Sequence, residues 1–311
     1  NPVNIHFLWP KKSFLIPLGS FILIRPSRAI LHLLVSMKLS KILVGGILIL
    51  SLFSIESCGE ATTDTPTEGP LNMVQAFPGL FEAVQMAHIF PDSKTFADCT
   101  PKRDPHLIVE AYEQQKAQPD FGIQEFVYAN FEMPPSISSG FQTDKSRSLA
   151  EHINALWPVL TRQSDASQRG TLITLPYSYV VPGGRFREIY YCDSYFTMLG
   201  LQVSENDRGK IRPMVQNFAF LIDTIGFIPN GNRTYFLGRS QPPFFSLMVR
   251  LLAEIEGSKV LVEFLPAMEK EYQFWMNHQD QLSPEQPAQK RDVRLEDGTI
   301  LNRNWDNRHL P

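Results

Sequence analysis

From about Asn72 onward the apolar residues recur every three or four positions, the spacing of one helix face. Met214, Phe218, Leu221, Ile222 and Ile225 make one such stripe, stopped by Gly226 and Pro229. Leu261, Phe264, Leu265, Met268, Tyr272 and Trp275 make the cleanest one. Leu149, Ile153, Leu156, Trp157 and Leu160 make a third, in which Pro158 should kink the helix or end its regular part. Asp104-Pro105 is an N-cap followed by proline at the first helical position, and opens a helix to about Lys116. Pro242-Pro243 are expected to open another, running to about Gly257. Alternation is concentrated in RDVRLEDGTILNR, around Asp297-Gly298, and predicts a small β-hairpin. No repeated strand–helix pattern occurs, so a parallel sheet is not expected.

If consecutive helices alternate in direction, their order places the loops. A helix beginning near Asp193 leaves one end of the molecule, and the next, over about 208–226, returns to it. Helices over about 242–256 and 259–277 leave and return again. Segment 181–193, loop 227–241 and everything after about Asn277 therefore gather at one end. All three are polar and aromatic, as a binding site on a helical scaffold requires.

The front of the chain reads as an address. Residues 1–36 carry a broken apolar run from Phe14 to Ile24, and read either as an upstream segment or as a membrane anchor. Residues 37–58 have signal-peptide order: Lys38 and Lys41, the apolar run Ile42 to Phe53, then Ile55-Glu56-Ser57-Cys58. That order resembles a lipoprotein signal with Cys58 as the lipidated residue, beside a plain cleaved signal or an uncleaved anchor. Residues 59–71 are a polar linker, and 72–311 form the folded domain. Such a chain is exported, periplasmic or in the cell envelope, with its membrane contact through this front segment.

Bulk properties narrow the rest. A 43% hydrophobic content over 311 residues supports a large core. A net charge of −3 with a pI near 6.2 argues against nucleic acid. The 7 His show no metal-ligand spacing, so neither a metal nor another cofactor is expected. Three Cys make no disulfide framework, and Cys99 and Cys192 pair only if the fold brings them together.

Chemistry is densest in VPGGRFREIYYCDSYFTMLGL, Val181 to Leu201. Aromatic faces beside Arg and Asp suit a sugar, whose C–H faces meet rings while its hydroxyls meet charged groups. Arg185 offers a fork of donors, and Asp193 can accept two hydroxyls. On spacing alone, Arg185 and Arg187 read rather as surface partners of Glu188, and Asp193 as a helix N-cap. In PNGNRTYFLGRSQPPFF, Asn230, Arg239, Ser240 and Gln241 follow a turn signal; amides donate and accept, so they match hydroxyls in either orientation. The plain alternative is a loop bonding its own backbone. LNRNWDNRHLP, with Asn302, Arg303, Trp305, Asp306 and Arg308, is a third such segment or a solvated terminus.

The Val181–Leu201 stretch resembles the first signature of the trehalase family, glycosidases that split trehalose into two glucoses. The resemblance runs from near Pro78, through FPDSKTFADCTPKRDP and LWPVLTR, to the PNGNRTYFLGRSQPP loop and the NRNWDNRHLP terminus. It implies an all-α (α/α)6 toroid-type helical barrel, present here only in part, with the site at one end of the helices. It carries sugar contacts onto Arg185, Cys192, Asp193, Asn230, Arg239, Ser240 and Gln241, with Cys192 standing where the family has Trp. Inverting hydrolysis needs one carboxylic acid and one carboxylate on opposite faces of the bond. The resemblance places both beyond Pro311; the family's Gly-Trp-Asp motif is not found in this sequence. The chain alone is therefore expected to be inactive and prone to aggregate. The alternatives are a non-catalytic sugar-binding protein, or another (α/α)6 disaccharide hydrolase.

Overall fold

The computed structural model describes residues 70–134, 141–164, 170–204 and 206–308. The predicted upstream segment, signal, lipidated Cys58 and most of the linker lie outside them. Short helices come first: α1 (Met73–Ala76), α2 (Leu80–Met86) and α3 (Ser93–Ala97), then α4 (Pro105–Gln115) and α5 (Ile123–Asn130). The Asp104 carboxylate accepts from His106 N–H with Pro105 at the first position, so α4 starts where expected. Strands β1 (Thr100–Pro101) and β2 (Phe131–Glu132) pair beside these helices. Phe77, Leu80, Phe96, Ile108, Val127 and Phe131 form a first core here.

A second, larger core follows. Helix α6 (Leu149–Leu160) leads to β3 (Thr161–Arg162), which pairs with β4 (Tyr179–Val180). Helices α7 (Tyr191–Val203), α8 (Ile211–Ile225), α9 (Phe245–Glu256) and α10 (Lys259–Met276) then pack on one another. Helix α9 contacts α7, α8 and α10. The α8 stripe is as expected: Met214, Phe218, Leu221 and Ile222 are buried, and Gly226 ends the helix in the left-handed region at φ 91°. Each of these side chains contributes roughly 1.5–3 kcal/mol by leaving water. A last sheet of β5 (Ala288–Gln289), β6 (Asp292–Arg294) and β7 (Ile300–Asn302) contains the predicted hairpin. The described strands all pair antiparallel, and the fold is a partial helical barrel with small strands.

Three element expectations need correction. Helix α9 starts at Phe245 rather than at Pro242, because each proline pushes its predecessor out of the helical region. Helix α6 runs to Leu160 with Pro158 inside it, as its stripe predicts, but Leu149 and Ile153 on the expected apolar face are exposed. The stripe on α10 is turned by about one position. Val260, Phe264, Ala267, Glu271 and Trp275 face inward, while Leu261, Leu265 and Tyr272 are exposed. A carboxylate on the buried face hid the true period, since periodicity counts only apolar residues.

Candidate functional site

The three polar-aromatic segments do meet at one end. Tyr190 and Gly231 form a bridge, and Tyr191 N–H donates to Asn230 O at 3.2 Å. Asn230 N–H in turn donates to Arg239 O at 3.0 Å, so the ends of the loop lie together. Gly231 is required there: a Cβ would lie 2.7 Å from Ile189 O. Cys192 N–H donates to Gln241 Oε1 at 2.8 Å, joining the start of α7 to the residues before α9. Asn232, fully buried, accepts Ile189 N–H and donates to Ile173 O, both at 2.8 Å.

Arg185 and Arg239, distant in sequence, stand at the two ends of a row of rings. Arg185 lies over Phe186 at 5.2 Å, Phe186 meets Tyr190 at 5.6 Å, Tyr190 meets Phe236 at 5.6 Å, and Arg239 lies over Phe236 at 5.4 Å. Such contacts favour a cation over a ring face and rings edge to face. Arg185 is mostly exposed and reaches Asp92 Oδ2 at 3.6 Å. Arg239 is held at Nη1 by Asp306 Oδ2 at 2.9 Å. Asp193 is exposed in the first turn of α7 and is not its N-cap, a position taken by Tyr190. Asn230 is half-buried. Ser240 is buried and its hydroxyl is committed to Ile228 O at 2.6 Å, so it shapes the loop rather than facing outward.

The expected pairing of Arg185 and Arg187 with Glu188 does not occur. Glu188 is fully buried and meets Arg233 at 3.0 Å and Lys94 at 3.1 Å. Burial by itself would raise the Glu188 carboxyl, but Arg233 and Lys94 hold it below the usual carboxylate range. Tyr190 O–H also donates to it at 3.0 Å. Arg233 reaches on to Asp98 at 3.3 Å and Thr171 Oγ1 at 3.0 Å, and Tyr235 O–H donates to Asp98 at 3.0 Å. Arg233 sits within the loop motif and Glu188 within the signature; nothing in their spacing marks them as partners. A cavity of about 230 Å³ borders this cluster, lined by Asp98, Glu132, Arg187 and Arg233 among others, and by none of the seven predicted sugar contacts.

Within the terminal segment, Asp306, Asn307 and Arg308 are docked on the 227–241 loop, while Arg303 and Asn304 are exposed. Arg308 donates to Thr234 O at 2.7 Å and Tyr235 O at 3.0 Å, and Asn307 N–H donates to Gly238 O at 2.9 Å. A Cβ built on Gly238 would collide with the Asp306 carboxylate. Burial raises the Asp306 carboxyl, and bonds from Arg308 N–H and Arg239 outweigh that and lower it. Cys99 and Cys192 are free thiols: burial pushes Cys99 up to about 12, and burial with Asp193 pushes Cys192 up to about 11. Among the described residues no cluster of His, Cys, Asp or Glu is arranged to hold a metal ion.

The described helices thus form a partial helical barrel with arginines, amides and rings gathered at one end. Residues 88–311 match the family model described as Trehalase. The chain belongs to the trehalase family. It is 49% identical over 270 residues to the periplasmic trehalase of Salmonella newport (strain SL254), covering 86% of this chain and 46% of that one. It is 51% identical over 255 residues to the periplasmic trehalase of Xanthomonas campestris pv. campestris (strain B100), covering 81% and 44%. The chain thus spans about half the length of the curated relatives it matches. Among solved structures, neutral trehalase Nth1 from Saccharomyces cerevisiae matches at 34% identity and a TM-score of 0.30, over 38% of this chain and 22% of that one.

Proposed function

We propose that this chain forms the sugar-binding end of an enzyme that hydrolyses α,α-trehalose to two glucoses with inversion. The observation that carries the reading is the gathering of Arg185, Cys192, Asp193, Asn230, Arg239 and Gln241 at one end of the helices, in a chain of the trehalase family. Arg185 and Arg239 grip hydroxyls from the two ends of the ring row, and Asp193 accepts from others. Gln241 spends its oxygen on Cys192 N–H, which leaves its amide nitrogen to donate. Cys192 contributes a small apolar contact where a Trp would give a broad face.

Inversion requires water to attack the anomeric carbon while the glycosidic oxygen leaves with a proton. Both carboxyl groups for that step are assigned to no residue of this sequence. Export to the periplasm or cell envelope fits the names of the relatives and the Ile42 to Phe53 run, with Cys58 as the lipid-carrying residue.

The test is calorimetric titration of the purified chain with trehalose, maltose and sucrose, alongside a glucose-release assay. Binding of trehalose over the other two supports the reading. No binding, or equal binding of all three, sinks it. Binding without glucose release separates a sugar-binding function of this chain from hydrolysis.

A further inference from the structure

Glu271 places a carboxylate inside an apolar core, which is costly without a partner. It lies on the inner face of α10, between Ala267 and Trp275 in the buried stripe. Its partner is the phenol of Tyr191, the fully buried first residue of α7, whose O–H donates to Glu271 Oε1. The same phenol oxygen accepts N–H from Phe244 at 2.9 Å and from Phe245 at 2.7 Å. The phenol oxygen thus accepts from two of the N–H groups that open helix α9. One residue beyond Tyr191, Cys192 N–H donates to Gln241. Gln241 and Phe244 are separated by Pro242-Pro243, whose rings fix φ. The starts of α7 and α9 are therefore tied at two points on either side of a stiff link.

The direction of the phenolic hydrogen decides whether the tie holds. Aimed at Glu271, it leaves the oxygen lone pairs free for Phe244 and Phe245. With no acceptor at 271 the O–H is left without a partner, and the phenol loses the bond that fixes its oxygen toward those N–H groups. We propose that Glu271 is a positioning residue: by accepting the Tyr191 hydrogen bond it holds Arg239, Ser240 and Gln241 against the first turn of α7, in register with Arg185 and Asp193. This rests on the sugar-binding reading of that end. No part of the chemistry otherwise uses Glu271.

The experiment compares trehalose affinity of the full chain with that of Tyr191→Phe, Glu271→Leu, Glu271→Gln, Gln241→Ala and the Tyr191→Phe/Gln241→Ala double variant. Exchange of the Cys192 amide is followed by nitrogen-15 NMR in the same samples. Glu271→Leu and Tyr191→Phe should each weaken binding about tenfold, as loss of one well-placed hydrogen bond does. Both should speed exchange at Cys192 while α8 amides stay protected. Glu271→Gln, whose amide oxygen accepts the same bond, should recover most of the affinity. The double variant should bind no more weakly than Gln241→Ala alone. Additive losses, or exchange that speeds equally in α8, would mean a purely structural role and overturn the proposal. So would an unchanged Cys192 amide in Glu271→Leu, or in Tyr191→Phe where the leucine variant does not fold. If the parent chain binds no trehalose, the functional reading fails, and the Cys192 amide still decides the role of Glu271.

Discussion

Glu188 and Arg233 meet at 3.0 Å with almost no surface of either side chain left to water. The pair is worth more to the site than its distance suggests, because it joins two cores. Lys94 and Asp98 come from the helix and turn of the first core, while Glu188 and Arg233 come from the signature and the loop of the second. Removing one member of a buried pair strands the other charge, at a cost of about 3–5 kcal/mol. Arg233→Met should therefore lower the denaturation midpoint sharply, whereas an exposed pair such as Arg250–Glu254 should tolerate Arg250→Met within roughly 0.5 kcal/mol. Urea unfolding of the two variants side by side measures this; equal losses would contradict it.

Gly238 has no room for a side chain beside Asp306. Gly238→Ala should push Asp306 off Arg239 and free the guanidinium to wander. We expect trehalose binding to weaken about tenfold, comparable with losing one charge-assisted hydrogen bond. Asp306→Asn should give the same direction with a smaller loss. Titration of both variants tests the order.

Cys192 stands half-buried at the opening of α7, beside Gln241. A Trp face against a sugar is worth ~1 kcal/mol beyond its area. Cys192→Trp should therefore strengthen trehalose binding about fivefold, and an unchanged affinity would remove residue 192 from the contact surface. The Cys99 and Cys192 thiols should be slow in Ellman's assay at pH 8, since burial raises both.

Burial raises the Glu271 carboxyl from 4.5 to about 7, opposed by the Tyr191 hydrogen bond. Tyr191, itself pushed well up by burial, is the titratable group facing it. The folded pKa lies above the unfolded one, so the folded state binds the extra proton. Stability from this group is complete below about pH 4.5 and is lost as pH rises through 7, by up to roughly 3 kcal/mol. Urea midpoints at pH 5 and pH 7.5 should show that fall in the parent chain and a flatter profile in Glu271→Gln.

Much of the architecture was legible because it rests on short-range rules. The α8 stripe, the Asp104-Pro105 start, the Asp297-Gly298 hairpin and the meeting of three loops all follow from periodicity, capping and helix direction. The errors share a different cause. Glu188 and Glu271 are carboxylates, so the sequence alone puts them on the surface, and only partners brought from far along the chain make burial tolerable. The Ser240 contact came from the resemblance alone; its hydroxyl donates to Ile228 O, a bond that no local rule in the sequence announces.

Salt discriminates between the two kinds of charge in this chain. Arg212 ties α8 to Glu256 and Glu263 through partly exposed pairs, where counter-ions compete readily. The Glu188–Arg233 pair, with almost no side-chain surface exposed, leaves them little access. Rising ionic strength thus loosens the outer seam between helices, together with the exposed Arg239–Asp306 and Arg185–Asp92 contacts, before it reaches the buried Glu188–Arg233 pair that ties the signature to the loop.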